Sequence, residues 1–216
     1  MQERLAWCRL RNNHNLRYWR RVHWSDESRY LLHVTDGGSR GWRRRNETFN
    51  QEMIEPTVPF GGGSVMVWGC VSYDCKLNLI TIPGTLNGQR YQRHILDGAV
   101  ISHFDNHTLA SRPLFMDDNA RPHRARAVVD HLRINAIDTI PWPAKSLDLN
   151  PIEHLWDYLG RHVRARDPPV QNVDELQQAL HEEWQRIPMI RIRRLISSMR
   201  RRVENVIRMR GGYSRY

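Results

Sequence analysis

Cysteine is scarce, negative charge is in deficit, and no apolar run is long enough to cross a bilayer. The three cysteines, Cys8, Cys70 and Cys75, form neither a disulfide framework nor a paired CxxC ligand set. The simplest reading is reduced thiols in an intracellular protein. A stretch of about eighteen apolar residues, which a membrane-spanning helix needs, does not occur, so no membrane partner is expected. The amino end, MQERLAWCRLRNN, is charged throughout and does not fit a secretory signal. Acids number 23 against 33 lysines and arginines, a net charge of +10. That balance points to an anionic partner, with nucleic acid first.

A chain of 216 residues, 40% apolar, is long enough to bury a real core in one domain. Its charge is unevenly spread. Residues 186–216 carry ten arginines against Glu204 alone, and residues 1–30 carry seven against three acids, which leaves the centre slightly acidic. An acidic centre between basic ends suits a carboxylate metal site flanked by DNA-holding surfaces. A charge run by itself is more often a solvated face.

Periodicity gives the elements. Residues 2–11 read as a short helix with Leu5, Ala6 and Cys8 on one side, and a second runs from Leu16 to Arg21. From Val22 the period becomes two, with Val22, Trp24, Asp26, Ser28, Tyr30, Leu32 and Val34 on one face. Asp36-Gly37-Gly38 is a turn signal, and residues 40–60 form a polar, arginine-rich excursion. GGGSVMVWGC predicts a buried strand after three glycines, and Leu77 to Ile82 another. Residues 88–103 read as a helix burying Tyr91, Ile95, Leu96 and Ala99. Strand and helix then alternate: a strand at 114–116, a helix over 122–135 with Ala125, Val128, Val129 and Leu132 in phase, and a strand from Ile137 to Pro141. Asn150-Pro151 opens a helix with Ile152, Leu155, Trp156, Leu159 and Val163 as its stripe. Asn172 and Glu175 cap a helix over 173–187, and the spacing from Ile192 to Ile207 predicts one long amphipathic helix with an arginine face. Strands first, then alternation, then helices, give an α/β class.

Three acids stand out, and each has an ordinary explanation. Asp26 lies in phase with apolar neighbours, where an unpaired carboxylate is costly, yet a salt bridge or a bulge would account for it. Asp118 follows a strand and precedes a helix, where α/β folds bind ligands. Either it or Asn119 would equally serve as a cap, and the adjacent Asp117 competes for any role. Glu153 falls three residues after Asn150, the position of a capping-box glutamate.

Order and spacing add weight. Between Asp26 and Asp118 lie 91 residues, and between Asp118 and Glu153 lie 34. With the words WSDES, VMVWGC, MDDNARPH, WPAKSLDLNPIEHLW and RGGYSRY, the chain resembles the Tc/mariner superfamily of DDE transposases, in its Tc-type branch, from about residue 4 to its end. The resemblance implies an RNase H-like (retroviral integrase-like) fold, a mixed central sheet flanked by helices. It implies a basic helical lead-in at 1–21 and a catalytic domain at 22–216. Asp26, Asp118 and Glu153 would be the catalytic metal ligands, holding two Mg²⁺ or Mn²⁺ ions, with supporting roles for Asn119 and His123. Double-stranded DNA, as transposon ends and as target at TA dinucleotides, would be the partner of a nuclear enzyme, and a homodimer is a further expectation.

Two departures stand out. Leu147 occupies a position that is usually proline in the family, and the paired helix-turn-helix modules expected upstream are absent from this sequence. The rival readings are a truncated or host-adopted DNA-binding protein without activity, a nuclease for RNA–DNA hybrids, and an arginine-rich scaffold whose three acids only cap and pair.

Overall fold

The computed structural model describes residues 1–33, 62–105 and 112–213. The strand position of Val34, the turn at 36–38, the excursion over 40–60, Gly61 and residues 214–216 lie outside them. Four strands, β1 (Val22–Leu31), β2 (Ser64–Val71), β3 (Ile80–Ile82) and β4 (Leu114–Met116), form one sheet in the order β3-β2-β1-β4. β1 is antiparallel to β2 and parallel to β4. The sheet is therefore mixed, as expected.

Helices cover both faces. On one lie α1 (Gln2–Arg11), α2 (Leu16–Arg20), α5 (Glu153–Arg164), α6 (Val173–Arg186), α7 (Met189–Ser197) and α8 (Met199–Arg208). They close over Val22, Trp24, Val65, Val67, Val71 and Met116. On the other lie α3, a continuous helix over residues 88–105, and α4 (Arg126–Ile134), which close over Trp68, Cys70 and Phe115. Strands buried on both sides lose simple polar alternation, which is why β2 reads as one apolar run.

Several elements differ from the sequence expectation. In α1 the buried residues are Arg4, Trp7 and Cys8, while Leu5 is half-buried and Ala6 exposed. Arg4 goes inside because its guanidinium grips both oxygens of Asp148 at 2.7 and 2.8 Å. The strand expected at 77–82 pairs regularly only over Ile80–Ile82. In place of a strand at 137–141 there is one bridge, Phe115 to Thr139, and Pro113, the next ladder position on β4, has no N–H with which to extend it.

The middle of α3, Tyr91–Ile101, is a π-helix. Its buried residues Tyr91, Ile95, Leu96 and Val100 are spaced four to five apart, which suits the wider turn, and Ala99 is only half-buried. The helix expected at 122–135 begins at Arg126 and leaves Val129 exposed. The long carboxyl-terminal helix divides at Ser198, whose hydroxyl donates to the Leu195 carbonyl at 2.6 Å and accepts from Arg202 Nε at 3.0 Å. Arg202 is thereby buried and donates to the Asp148 carbonyl at 2.9 Å.

The lead-in helices are built into the main core. Trp7, Cys8 and Trp19 pack in the same cluster as Trp24 and Trp142. Cys8 and Cys70 are buried free thiols and Cys75 is a half-buried one.

Candidate active site

Strand register places the first two acids. Val22 pairs with Leu114, His23 with Phe115 and Trp24 with Met116. Continued by two residues, the same parallel register sets Asp118 level with Asp26. Side chains of equal parity share a face, so Asp118 follows Leu114 and Met116 toward the face covered by α5, as Asp26 follows Val22 and Trp24. Asp117 turns the other way. It is buried, pairs with Arg124, and is pushed up to about 6 by that burial.

Helix α5 brings in Glu153. Asn150 ties its approach to the strand, donating from Nδ2 to the Ser25 carbonyl at 3.3 Å and accepting from the Ile152 N–H at 3.3 Å. The Glu153 carboxyl is a near neighbour of Asp26 and feels the charge of Asp118. Asn150 thus caps the first turn, but the capping-box role of Glu153 is not realised, since the Asn150 N–H donates to the Leu147 carbonyl at 2.9 Å and not to the glutamate. One turn further on, Trp156 Nε1 donates to Asp26 Oδ2 at 3.1 Å.

That indole reaches Asp26 because residue 69 has no side chain. Gly69 is the β2 partner of Asp26, and a Cβ there would fall 2.6 Å from Trp156 Cη2 and 2.9 Å from Trp184 Cη2. Gly69→Ala should therefore push both rings off the sheet, at a cost of about 1–3 kcal/mol, read as a lower urea midpoint. Gly98→Ala, whose Cβ would meet nothing nearer than 3.6 Å, is the control. Equal midpoints for the two variants would contradict this packing.

The charges are under tension. Burial, then Glu153 and Glu27, push Asp26 up to about 8. Glu153 is also raised, chiefly by burial. Asp118 goes the other way: burial opposes its charge, but hydrogen bonds from His123 and the Ala120 N–H outweigh it and hold it low. Both bonds, at 2.8 Å each, land on Oδ1. Burial also works against a charged His123, yet Asp118 and Glu27 push it up to about 10. Its Nε2 stands 3.4 Å from Glu27 Oε1, an ion pair without hydrogen-bond alignment. The Tyr91 ring lies 4.2 Å from the imidazole. Asn119 points elsewhere, donating to the Trp142 carbonyl at 2.7 Å.

Asp26 and Glu153 are thus near neighbours, and Asp118, held by His123, lies close enough to raise both electrostatically. Their oxygens are not all within 4.8 Å of one another. Sequence reasoning passed over Glu27, Gly69 and the hydrogen bond of Trp156. The signal for Gly69 was a lone glycine inside an apolar strand, which often marks a close approach.

Residues 21–177 match the family model of the DDE superfamily endonucleases. The chain belongs to that superfamily. It is 34% identical to the Tcb2 transposase of Caenorhabditis briggsae over 99% of its own length and 77% of that protein. It is 33% identical to the Tc3 transposase of Caenorhabditis elegans over 92% of its length, covering 59% of that protein. These relatives place this DDE chain among Tc-type transposases. Its structure superposes on the catalytic domain of the Mos1 mariner transposase with a TM-score of 0.76 at 20% identity, covering 100% of this chain and 95% of that one. A pre-cleavage Mos1 transpososome gives 0.81 at 20% identity, covering 100% and 64%. The fold of this DDE transposase domain is RNase H-like, and its enzyme class is that of the family, a DNA endonuclease and strand transferase.

Proposed function

We propose that Asp26, Asp118 and Glu153 hold two Mg²⁺ or Mn²⁺ ions and carry out cut-and-paste DNA transposition. The observation that carries this reading is the pairing of two half-buried carboxyls, Asp26 and Glu153, both raised above their ordinary range, with Asp118 close enough to raise them further. Two carboxylates about 4 Å apart repel by roughly 4 kcal/mol at an effective dielectric near 20, a penalty that a divalent cation reverses.

The donor set fits such ions. Every candidate ligand atom is a hard carboxylate oxygen, which suits Mg²⁺ or Mn²⁺. Trp156 holds Asp26 Oδ2 in place. His123 fixes Asp118 through Oδ1, and among the described residues its second oxygen has no hydrogen bond. When bound, a metal pair activates water or a 3′-hydroxyl and stabilises the leaving oxygen. Asp26, raised by burial and its acidic neighbours, would release its proton on taking up the ions, while His123, pushed up by Asp118 and Glu27, orients Asp118 and favours its ionised form.

DNA is the proposed substrate, as transposon end and as target. Arg191, Arg194 and Arg201, with His154 from the first turn of α5, line an open cleft between that helix and the carboxyl-terminal pair. Guanidinium groups so placed suit a phosphate backbone. Chromosomal DNA as substrate carries with it a nuclear site of action, and the joining of two ends favours a homodimer. The Mos1 relatives include a paired-end complex with a left transposon end.

The test uses the 216-residue chain with a supercoiled plasmid and a duplex bearing a free 3′-hydroxyl, in Mn²⁺. Nicking and strand transfer are expected from the native protein and should disappear in Asp118→Asn and Glu153→Gln. DNA retention by a folded native protein, with no metal-dependent nicking, would instead assign a DNA-binding role without catalysis.

A further inference from the structure

The sheet face opposite the three acids carries a second cluster, made of different donors. His23 from the head of β1, Cys75 from the β2–β3 connection and His103 from the last turn of α3 converge. Their Nε2, Sγ and Nε2 atoms all lie within 4.8 Å of one another, which no other trio of His, Cys, Asp or Glu among the described residues achieves. The two Nε2 atoms are 3.2 Å apart, and Sγ lies 3.4 Å from His103 Nε2 and 3.9 Å from His23 Nε2. Zinc bonds of about 2.0–2.1 Å to nitrogen and 2.3 Å to sulfur, at tetrahedral angles, would separate ligands by about 3.3 Å (N to N) and 3.6 Å (N to S). The observed triangle has those dimensions.

The protons around the cluster agree. His23 Nδ1 lies 3.3 Å from the Arg21 carbonyl. A carbonyl only accepts, so Nδ1 carries the hydrogen and the Nε2 lone pair faces the other two ligands. Ser72 Oγ accepts from the N–H groups of Asp74 and Cys75 at 3.4 and 3.2 Å and stands 3.0 Å from Cys75 Sγ. With both N–H groups donating to its oxygen, the hydroxyl hydrogen is left to point at sulfur, as a metal-bound thiolate requires.

We propose that His23, Cys75 and His103 form a zinc site distinct from the carboxylate centre. Imidazole and thiolate select Zn²⁺ over Mg²⁺, the reverse of the preference of the three acids. The adjoining cleft, lined by Lys76, Leu77, Asn78, Gly98 and His103, supplies a water as fourth ligand. Zinc uptake releases the Cys75 thiol proton to solvent and forms one Zn–S and two Zn–N bonds, with no change of oxidation state. The ion ties α3 and the β2–β3 connection to β1, three residues before Asp26.

The experiment titrates Zn²⁺ into the reduced 216-residue protein in excess Mg²⁺, which satisfies the acids first. At a Zn²⁺ concentration about 100 times Kd the melting temperature should rise by roughly 5–10 °C. The rise should vanish in Cys75→Ser and His103→Gln and persist in Asp26→Asn. Co²⁺ in place of Zn²⁺ should give a tetrahedral spectrum with a sulfur charge-transfer band. Should a variant fail to fold, alkylation of the native protein decides: Zn²⁺ should protect Cys75, with buried Cys8 and Cys70 as internal references. A zinc shift that survives Cys75→Ser, a cobalt spectrum without the sulfur band, or unprotected Cys75 would each overturn the proposal.

Discussion

Asp26→Asn abolishes Mn²⁺-dependent nicking and strand transfer while raising the melting temperature of the metal-free protein. The two effects have one cause, the cost of a buried charge that only a cation offsets. Loss of a ligand removes several kcal/mol of transition-state charge stabilisation, equivalent to about 10³-fold or more in rate. Asparagine is nearly the same shape, so its Oδ1 can still accept the Trp156 N–H that Asp26 accepts at 3.1 Å.

The stability gain follows from the direction of the shift. Burial, Glu153 and Glu27 push Asp26 up to about 8, against 3.8 for an ordinary aspartate. Between those values the folded chain holds a proton that the unfolded chain has lost, so stability falls as pH rises and the full penalty is present above about 8. The amide escapes that penalty. Each pH unit of displacement corresponds to about 1.4 kcal/mol, which water screening and the neighbouring Glu153 carboxyl reduce. A gain of at least roughly 2–4 °C, the equivalent of one kcal/mol in a domain this size, is expected at pH 8 and should shrink toward pH 4. In the native enzyme, activity at limiting Mg²⁺ should climb with pH toward about 8, because the ion displaces a proton. An unchanged melting temperature together with retained nicking would remove Asp26 from the site.

Arg4→Ala has the largest expected effect on stability. The Arg4 guanidinium makes a fork with Asp148 at 2.7 and 2.8 Å and also donates to the carbonyls of Lys145 at 2.8 Å, Gly211 at 3.1 Å and Gly212 at 3.2 Å. The side chains of Arg4 and Asp148 are 5% and 12% exposed, so removing one leaves a poorly hydrated charge. Breaking such a pair costs about 3–5 kcal/mol, a drop of roughly 10 °C or more. Because the pair is buried, added salt should barely change the loss. Arg4→Lys should recover little of it, since a point charge cannot make the fork. Asp148→Ala added to Arg4→Ala should cost less than the two single losses together. An Arg4→Ala protein with the native urea midpoint would refute the assignment.

Much of the site was legible because it depends on local pattern. The stripe Ile152, Leu155, Trp156, Leu159 and Val163 lies buried, as its spacing predicts, and it turns Glu153 toward the sheet. Asp26 was visible as a polar residue where strand parity calls for an apolar one, and Asp118 by its place between a strand and a helix. What remained hidden depends on partners far along the chain. Arg4 and Arg202 sit in segments that read as solvated or DNA-facing charge, yet both are buried around Asp148. No local period marks a residue whose partner lies 54 or 144 positions away. His23, Cys75 and His103 were missed for the same reason, since no short CxxC or HxxxH spacing connects them. The π-helical stretch of α3 was read as an ordinary helix because four- and five-residue spacings partly satisfy both periods.

The parallel pairing of Val22 with Leu114 and Trp24 with Met116 makes this centre tolerant of one kind of genetic change and intolerant of another. Swapping one side chain for another along β1 or β4 leaves the count of residues intact, so both aspartates still emerge on the same side. Inserting or deleting one codon between Trp24 and Asp26, or between Met116 and Asp118, reverses every side chain beyond it. One acid would then exit through the back of the sheet. Working copies of such a gene should accumulate substitutions in these two short stretches far more readily than changes of length.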